Sequence, residues 1–152
     1  MPIGVKLAFA LAAALIATAV GAVEVTYRGS ATFVATRLAL PLANNGAAVH
    51  LTNDVVATIE PSESGFIYGD CAGLGYLSPK GKYSVDAYCT FAESAADAFD
   101  IRVKLEPPAG GDVKIIGGRG KWLDAAGIGT ITPRSAEGSR GSFGYEFKIV
   151  TP

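Results

Sequence analysis

An all-β domain of about eight strands, following an N-terminal signal peptide, is the fold class this sequence predicts. Three observations predict it. Apolar residues recur at every second position in several separate runs, the period of a strand with one dry face and one wet face. Nineteen glycines and eight prolines suit tight connections between such runs. No stretch after the leader sustains a 3.6-residue period. About eight strands in one domain imply a closed barrel or a sandwich.

The leader comes first in the chain. Met1 to Lys6 form a short, weakly basic start, Leu7 to Val20 run almost wholly apolar, and Val20-Gly21-Ala22 places small residues where signal peptidase needs them. The apolar run is about 14 residues, short of the roughly 18–20 that span a bilayer. Residues 1–22 therefore read as a cleavable signal peptide and not an anchor, with the mature chain periplasmic or secreted and without a membrane span. No cysteine follows the cleavage site, so a lipid anchor is not indicated. Residues 23–152 then form one domain of 130 residues, enough for a real core. Losing Lys6 leaves 12 basic against 14 acidic residues, a net charge of −2. With no basic patch, nucleic acid is not an expected partner.

The strands follow in order. Val23 to Arg28 and Ala31 to Arg37 are expected as separate strands. Val49, Leu51, Val55, Ala57 and Ile59 then form an apolar row, with the turn signal Asn44-Asn45-Gly46 before it and Glu60 to Gly65 after it. Gly65 to Leu77 is the next strand. Tyr83, Val85, Ala87, Cys89 and Phe91 share one face of its partner, and Lys82, Ser84, Asp86 and Tyr88 share the other. Ala92 to Ala98 offers one helical turn. Phe99, Ile101, Val103 and Leu105 alternate with Asp100, Arg102, Lys104 and Glu106. After Pro107 to Asp112 come strands at Val113 to Ile116 and Gly127 to Thr132, a connection at Arg134 to Gly141, and a closing strand in which Phe143, Tyr145, Phe147 and Ile149 alternate with Gly144, Glu146 and Lys148.

Cys71 and Cys89 are the only cysteines, and in an exported chain a lone pair forms a disulfide. The hairpin signal Ser78-Pro79-Lys80-Gly81-Lys82 sharpens this. Pro79 presets the first turn dihedral, and Gly81 can take the left-handed position of a bulged loop. Pairing Ser78 with Lys82 makes partner numbers sum to 160, and Cys71 and Cys89 meet the same condition. They face each other at a non-hydrogen-bonded pair, where backbones approach most closely, unless a bulge at Gly73 or Gly75 slips the register. An immunoglobulin-type sandwich is disfavoured, because its disulfide joins opposed sheets across a far longer loop.

One segment breaks the alternation: Ile115-Ile116-Gly117-Gly118-Arg119-Gly120-Lys121-Trp122, continuing through Leu123-Asp124-Ala125-Ala126-Gly127-Ile128-Gly129-Thr130. Gly117 and Gly118 permit a sharp reversal, Gly120 turns the chain so that Trp122 can plug a barrel end, and Ala126 and Gly127 allow close backbone approach. The spacing fails a phosphate-binding P-loop, since Trp122 follows Lys121 where Ser or Thr is required, and favours a structural role. The segment resembles the glycine-rich signature of the allene oxide cyclase and dirigent barrel superfamily at Gly117, Gly118, Gly120, Trp122, Ala126, Gly127, Gly129 and Thr130. Arg119 replaces the usual threonine. Secreted bacterial proteins of unknown activity in that superfamily look similar, and Gly144-Tyr145-Glu146-Phe147 and the central cysteine pair match them loosely. The resemblance implies a single antiparallel barrel of about eight strands. It also implies a barrel mouth and interior that hold an apolar, reactive small molecule and steer its ring closure or coupling. The catalytic polar residues of active members map onto no position here.

The residues themselves offer little reaction chemistry. His50 is the only histidine and falls on an outer face with Thr52, Asp54 and Thr58, so no histidine metal cluster or triad is expected, and no cofactor. The disulfide spends both thiols. Asp86, Asp100, Glu106 and Glu146 alternate outward, while Glu93 and Asp97 sit at a solvated rim where they could meet. Tyr83 and Tyr145 point inward by phase, as does Asn53 if its strand keeps register. These three are the candidate ligand contacts. Gly73 and Gly75, opposite Ala87 and Val85, remove volume and could open a cavity; alternatively Phe91, Phe99, Phe143 and Phe147 fill it. The first functional expectation is a non-catalytic exported barrel that binds a small apolar ligand or serves as an envelope or surface protein. The second is a cyclase, isomerase or dirigent-type steering protein working by confinement. The third is a protein-binding or inhibitor module using Leu38 to Ala48 as a protruding loop. A homo-oligomer is compatible with all three.

Overall fold

The alternating runs pair with their neighbours in sequence until the last meets the first. The computed structural model describes residues 21–60 and 65–152. Most of the expected signal peptide and most of the turn at Glu60 to Gly65 lie outside the described residues. The strands are β1 (Val23–Pro41), β2 (Ala47–Glu60), β3 (Phe66–Leu77), β4 (Tyr83–Ala92), β5 (Ala98–Leu105), β6 (Gly111–Arg119), β7 (Ala126–Glu137) and β8 (Arg140–Thr151), with a 3₁₀ turn at Gly120–Trp122. Every strand pairs antiparallel with the next, and β8 pairs with β1, giving a closed eight-stranded barrel without a free edge.

Burial follows the pleat. Phe91, Phe99, Ile101, Phe147 and Ile149 are fully buried on the inner face, each worth roughly 1.5–3 kcal/mol of apolar transfer. Phe99 stacks on Phe91 with centroids 5.7 Å apart and meets Phe147 edge-on at 6.2 Å. The β3–β4 register keeps the sum of 160 along its whole length, with no bulge at Gly73 or Gly75. Cys71 and Cys89 are disulfide-bonded with Cα atoms 4.0 Å apart, the close approach of a non-hydrogen-bonded pair. Ser78 anchors that hairpin twice: its N–H donates to the Lys82 carbonyl, and its hydroxyl accepts from the Lys82 N–H.

Four local expectations are corrected. The two strands expected on either side of Gly29-Ser30 are one, because both ladders run through: Gly29 pairs with Ile59 on one side and Tyr145 on the other. The turn at residues 93–97 is not helical. Ser94 Oγ instead accepts the N–H groups of Ala96 and Asp97, and the Asp97 carbonyl accepts those of Glu93 and Ser94. Residues 134–141 form mostly strand, with a bulge between Pro133 and Ser135 and a turn confined to residues 138–139. Gly117 and Gly118 do not reverse the chain; they extend β6 opposite Asp100 and Phe99, past a bulge that absorbs Ile116. The reversal comes at Gly120, in the left-handed region at φ 63°, where an added Cβ would lie 2.2 Å from Asp97 Oδ1.

Candidate ligand-binding cavity

The two ends of the barrel differ. At the end carrying the 3₁₀ turn, Trp122 is buried edge-on against Tyr27 and Phe99, with centroids 5.8 and 5.7 Å apart. Glu93 braces this end. It accepts the Tyr27 hydroxyl at 2.5 Å and pairs with Lys121, whose ammonium lies 4.9 Å from the centre of the Trp122 ring. Burial and the adjoining Glu93 carboxylate hold the Tyr27 hydroxyl far above the usual tyrosine range. Glu93 and Asp97, expected on a solvated rim where they could meet, take separate partners, since Asp97 Oδ1 accepts the Lys121 N–H.

The opposite half is hollow. A cavity of about 300 Å³ opens between the β1–β2, β3–β4, β5–β6 and β7–β8 connections, at the small end of the range for ligand pockets. Leu51, Val55, Val85, Ile101, Val103 and Ile131 supply most of its wall, with the Cys71–Cys89 disulfide set into it and Phe33 and Phe143 alongside. Among the described residues the lining contains no carboxylate and no histidine. Its polar members are Arg37, Asn53, Tyr83, Ser135 and Ser142. The two serines satisfy each other at 2.7 Å. Asn53 Oδ1 and the Tyr83 hydroxyl are buried without a hydrogen-bond partner among the described residues. Such groups are exceptional in folded proteins and call for an account. Arg37 forms no salt bridge among the described residues.

Tyr83 owes its position to a glycine. A Cβ on Gly75 would lie 2.5 Å from the Tyr83 hydroxyl and 2.8 Å from its ring carbons. The ring therefore lies over the bare backbone of β3. Gly73 is likewise covered by Ala87, so these glycines seat their neighbours and do not themselves open the space. Burial raises the Tyr83 pKa above the usual tyrosine range, and the positive charge of Arg37 opposes that rise. At neutral pH the hydroxyl is protonated and can donate.

The three expected contacts divide. Asn53 and Tyr83 both line the cavity. Tyr145 points inward but lies in the packed half, only 6 % exposed and absent from the cavity wall. Its hydroxyl donates to the Thr58 carbonyl at 2.9 Å, and its ring lies 4.8 Å from Phe147. Burial, helped by the negative charge of Glu60, pushes its pKa up to about 12. Sequence reasoning missed Arg37, although it shares the phase of Phe33 and Ala35, which are also turned inward.

The exterior holds the remaining candidates. His50 is exposed on β2. Asp86 accepts a two-pronged bond from Arg102, which lies over the Tyr88 ring, and the guanidinium holds that carboxyl below its usual range. Leu38 to Ala48 is not a protruding loop but the end of the β1–β2 hairpin, open only at residues 42–46. Leu38 and Leu40 stand 72 % and 65 % exposed on its outer face, in the same cross-strand rows as Leu74 and Tyr76 of β3, with His50 and Ala48 of β2 between them. Among the described residues no cluster of His, Cys, Asp and Glu could hold a metal ion. No described helix is long and apolar enough to cross a membrane.

The pterocarpan synthase dirigent protein GePTS1 superposes with a TM-score of 0.60 at 13 % identity, covering 86 % of each chain. The barrel is dirigent-like in fold. The pterocarpan synthase dirigent protein PsPTS1 aligns over 86 % of this chain and 94 % of its own, at 14 % identity and a TM-score of 0.49. No protein-family model and no curated protein matches the sequence.

Proposed function

We propose that this chain is an exported dirigent-type barrel that holds a compact apolar molecule in its open half and steers that molecule's reaction by confinement. The observation that carries the proposal is the pairing of an apolar cavity with two buried polar atoms, Asn53 Oδ1 and the Tyr83 hydroxyl, that no described residue satisfies. Leaving such atoms unpaired costs about 1–3 kcal/mol each, a cost that a ligand with matching groups removes. Among the described residues the cavity wall has no carboxylate or histidine for proton transfer. What the site can supply is shape, exclusion of water and fixed orientation, which suffice when the bound molecule is itself reactive. The dirigent-like fold supports this reading over a purely passive envelope role. The disulfide fits an oxidising compartment, and with the leader motif it supports the periplasm or the exterior as the working place.

The test is binding of a panel of neutral bicyclic aromatics to the wild type and to Val85→Phe, which fills the mouth from the wall. Binding by the wild type, lost in the variant, is the expected result. Equal binding by both proteins would contradict the proposal. A second reading, contact with another protein through the outer face, is favoured by the exposed Leu38 and Leu40. Leu38→Glu with Leu40→Glu would then abolish self-association or partner binding while leaving the cavity filled as before.

A further inference from the structure

The polar groups of the cavity are arranged by depth. Arg37 lies opposite Leu51 in the β1–β2 ladder, and Asn53 lies opposite Ala35, one inward position nearer the closed end. Two residues along a strand span roughly 7 Å, and the arginine side chain extends from the mouth end of that interval. The Tyr83 hydroxyl, held over Gly75, lines the same cavity as Arg37. Between these groups the wall is apolar. One cation, one buried acceptor and one donor thus converge on a space too small for a long chain.

Resting on the proposed cavity reading, we infer that the ligand is a compact apolar monoanion, its carboxylate held at the mouth by Arg37 and Tyr83 and a hydroxyl at its far end donating to Asn53 Oδ1. Each feature follows from a group on the wall. Among the described residues Arg37 is the only charged member of the lining and has no acidic partner. Arg37 stands exposed at the mouth, where its guanidinium can pair with one ligand carboxylate without itself being buried. Guanidinium and tyrosine hydroxyl together make a strong carboxylate donor set. Asn53 Oδ1 is an unpaired acceptor, and a hydroxyl at the deep end of the ligand is its complement. The small volume favours a fused-ring or single-ring acid over a fatty acid.

The probe is 6-hydroxy-2-naphthoate, compared by calorimetric titration with its methyl ester and with 2-naphthoate, using the whole chain with its disulfide intact. The wild type should bind the hydroxy-acid about tenfold more tightly than either comparison ligand. Arg37→Gln should bring the acid and ester affinities together, and Arg37→Lys should restore part of the preference. Asn53→Leu should erase the preference for the hydroxylated acid over 2-naphthoate. Ester binding in Arg37→Gln would show that the variant is folded. An ester that binds the wild type as tightly as the acid, or an acid preference that survives in Arg37→Gln, would overturn the inference and leave the cavity reading standing. If neither the acids nor the ester bind, the inference falls together with that reading.

Discussion

Replacing Tyr83 with phenylalanine removes a single oxygen that the structure leaves unpaired, so its effects on stability and on binding should have opposite signs. The ring keeps its seat over Gly75, whose missing side chain makes the room. The hydroxyl has no partner among the described residues, so no protein hydrogen bond is lost. A buried hydroxyl without a partner costs about 1–3 kcal/mol, and its position near an open mouth places it in the lower part of that range. The ligand-free variant should therefore be more stable by about 1 kcal/mol. For a domain of this size that is a rise in Tm of roughly 3–5 °C. The same variant should bind 6-hydroxy-2-naphthoate about five- to tenfold more weakly, the worth of one charge-assisted hydrogen bond in a partly open site. Urea unfolding under non-reducing conditions gives the first number and calorimetric titration the second. If Tyr83→Phe is instead destabilised by 1 kcal/mol or more, the hydroxyl has a structural partner and the reasoning from unsatisfied groups fails.

Three further outcomes follow from individual contacts. Tyr145 ionises near pH 10 when unfolded and near 12 when folded. Its contribution is intact below pH 10 and is lost as pH rises from about 10 to 12, by roughly 2–3 kcal/mol in all. The urea midpoint of Tyr145→Phe should accordingly fall less between pH 9 and pH 11 than that of the wild type. Gly75→Ala should drive the Tyr83 ring from its seat, because the new methyl would lie within 2.8 Å of ring carbons. Weakened ligand binding with a shifted Tyr83 NMR resonance is expected, and an unmoved resonance would contradict it. Cys71→Ala with Cys89→Ala opens a loop of 18-residue separation and should cost about 3 kcal/mol by urea unfolding. An unchanged midpoint would mean that the barrel, not the bridge, restrains that hairpin.

The parts of the fold legible in sequence were those governed by local rules. The β3–β4 register could be read because the turn at Ser78 to Lys82 is short and each later pair follows by counting, which also pairs the two cysteines. The inner faces of β5 and β8 could be read because large apolar residues fall at every second position from Phe99 to Leu105 and from Phe143 to Ile149. Gly29-Ser30 misled because glycine marks both turns and close strand crossings, and only the neighbouring ladders on both sides distinguish them. Gly117-Gly118 misled for a similar reason, since a bulge and a reversal both accept the dipeptide. At the site, strand phase places Asn53, Tyr83 and Tyr145 inward, but depth along the barrel axis depends on strand stagger and on which end Trp122 closes. Neither is a property of one strand, so the separation of Tyr145 from the cavity could not be read. Arg37 was missed because a charged residue is ordinarily assigned to the wet face, although its phase with Phe33 points the other way.

The central claim is that the open half of the barrel receives a small apolar molecule. A titration of the isotope-labelled protein with 2-naphthol, followed by two-dimensional NMR, tests it without dependence on Arg37. The expected result is a saturable set of shifts confined to the Asn53 side-chain amide, the Tyr83 ring and the methyl groups of Leu51, Val85 and Val103, with Trp122 and Ile149 unmoved. Shifts confined to the outer row of Leu38, Leu40 and Leu74, or none at saturating naphthol, would contradict the claim.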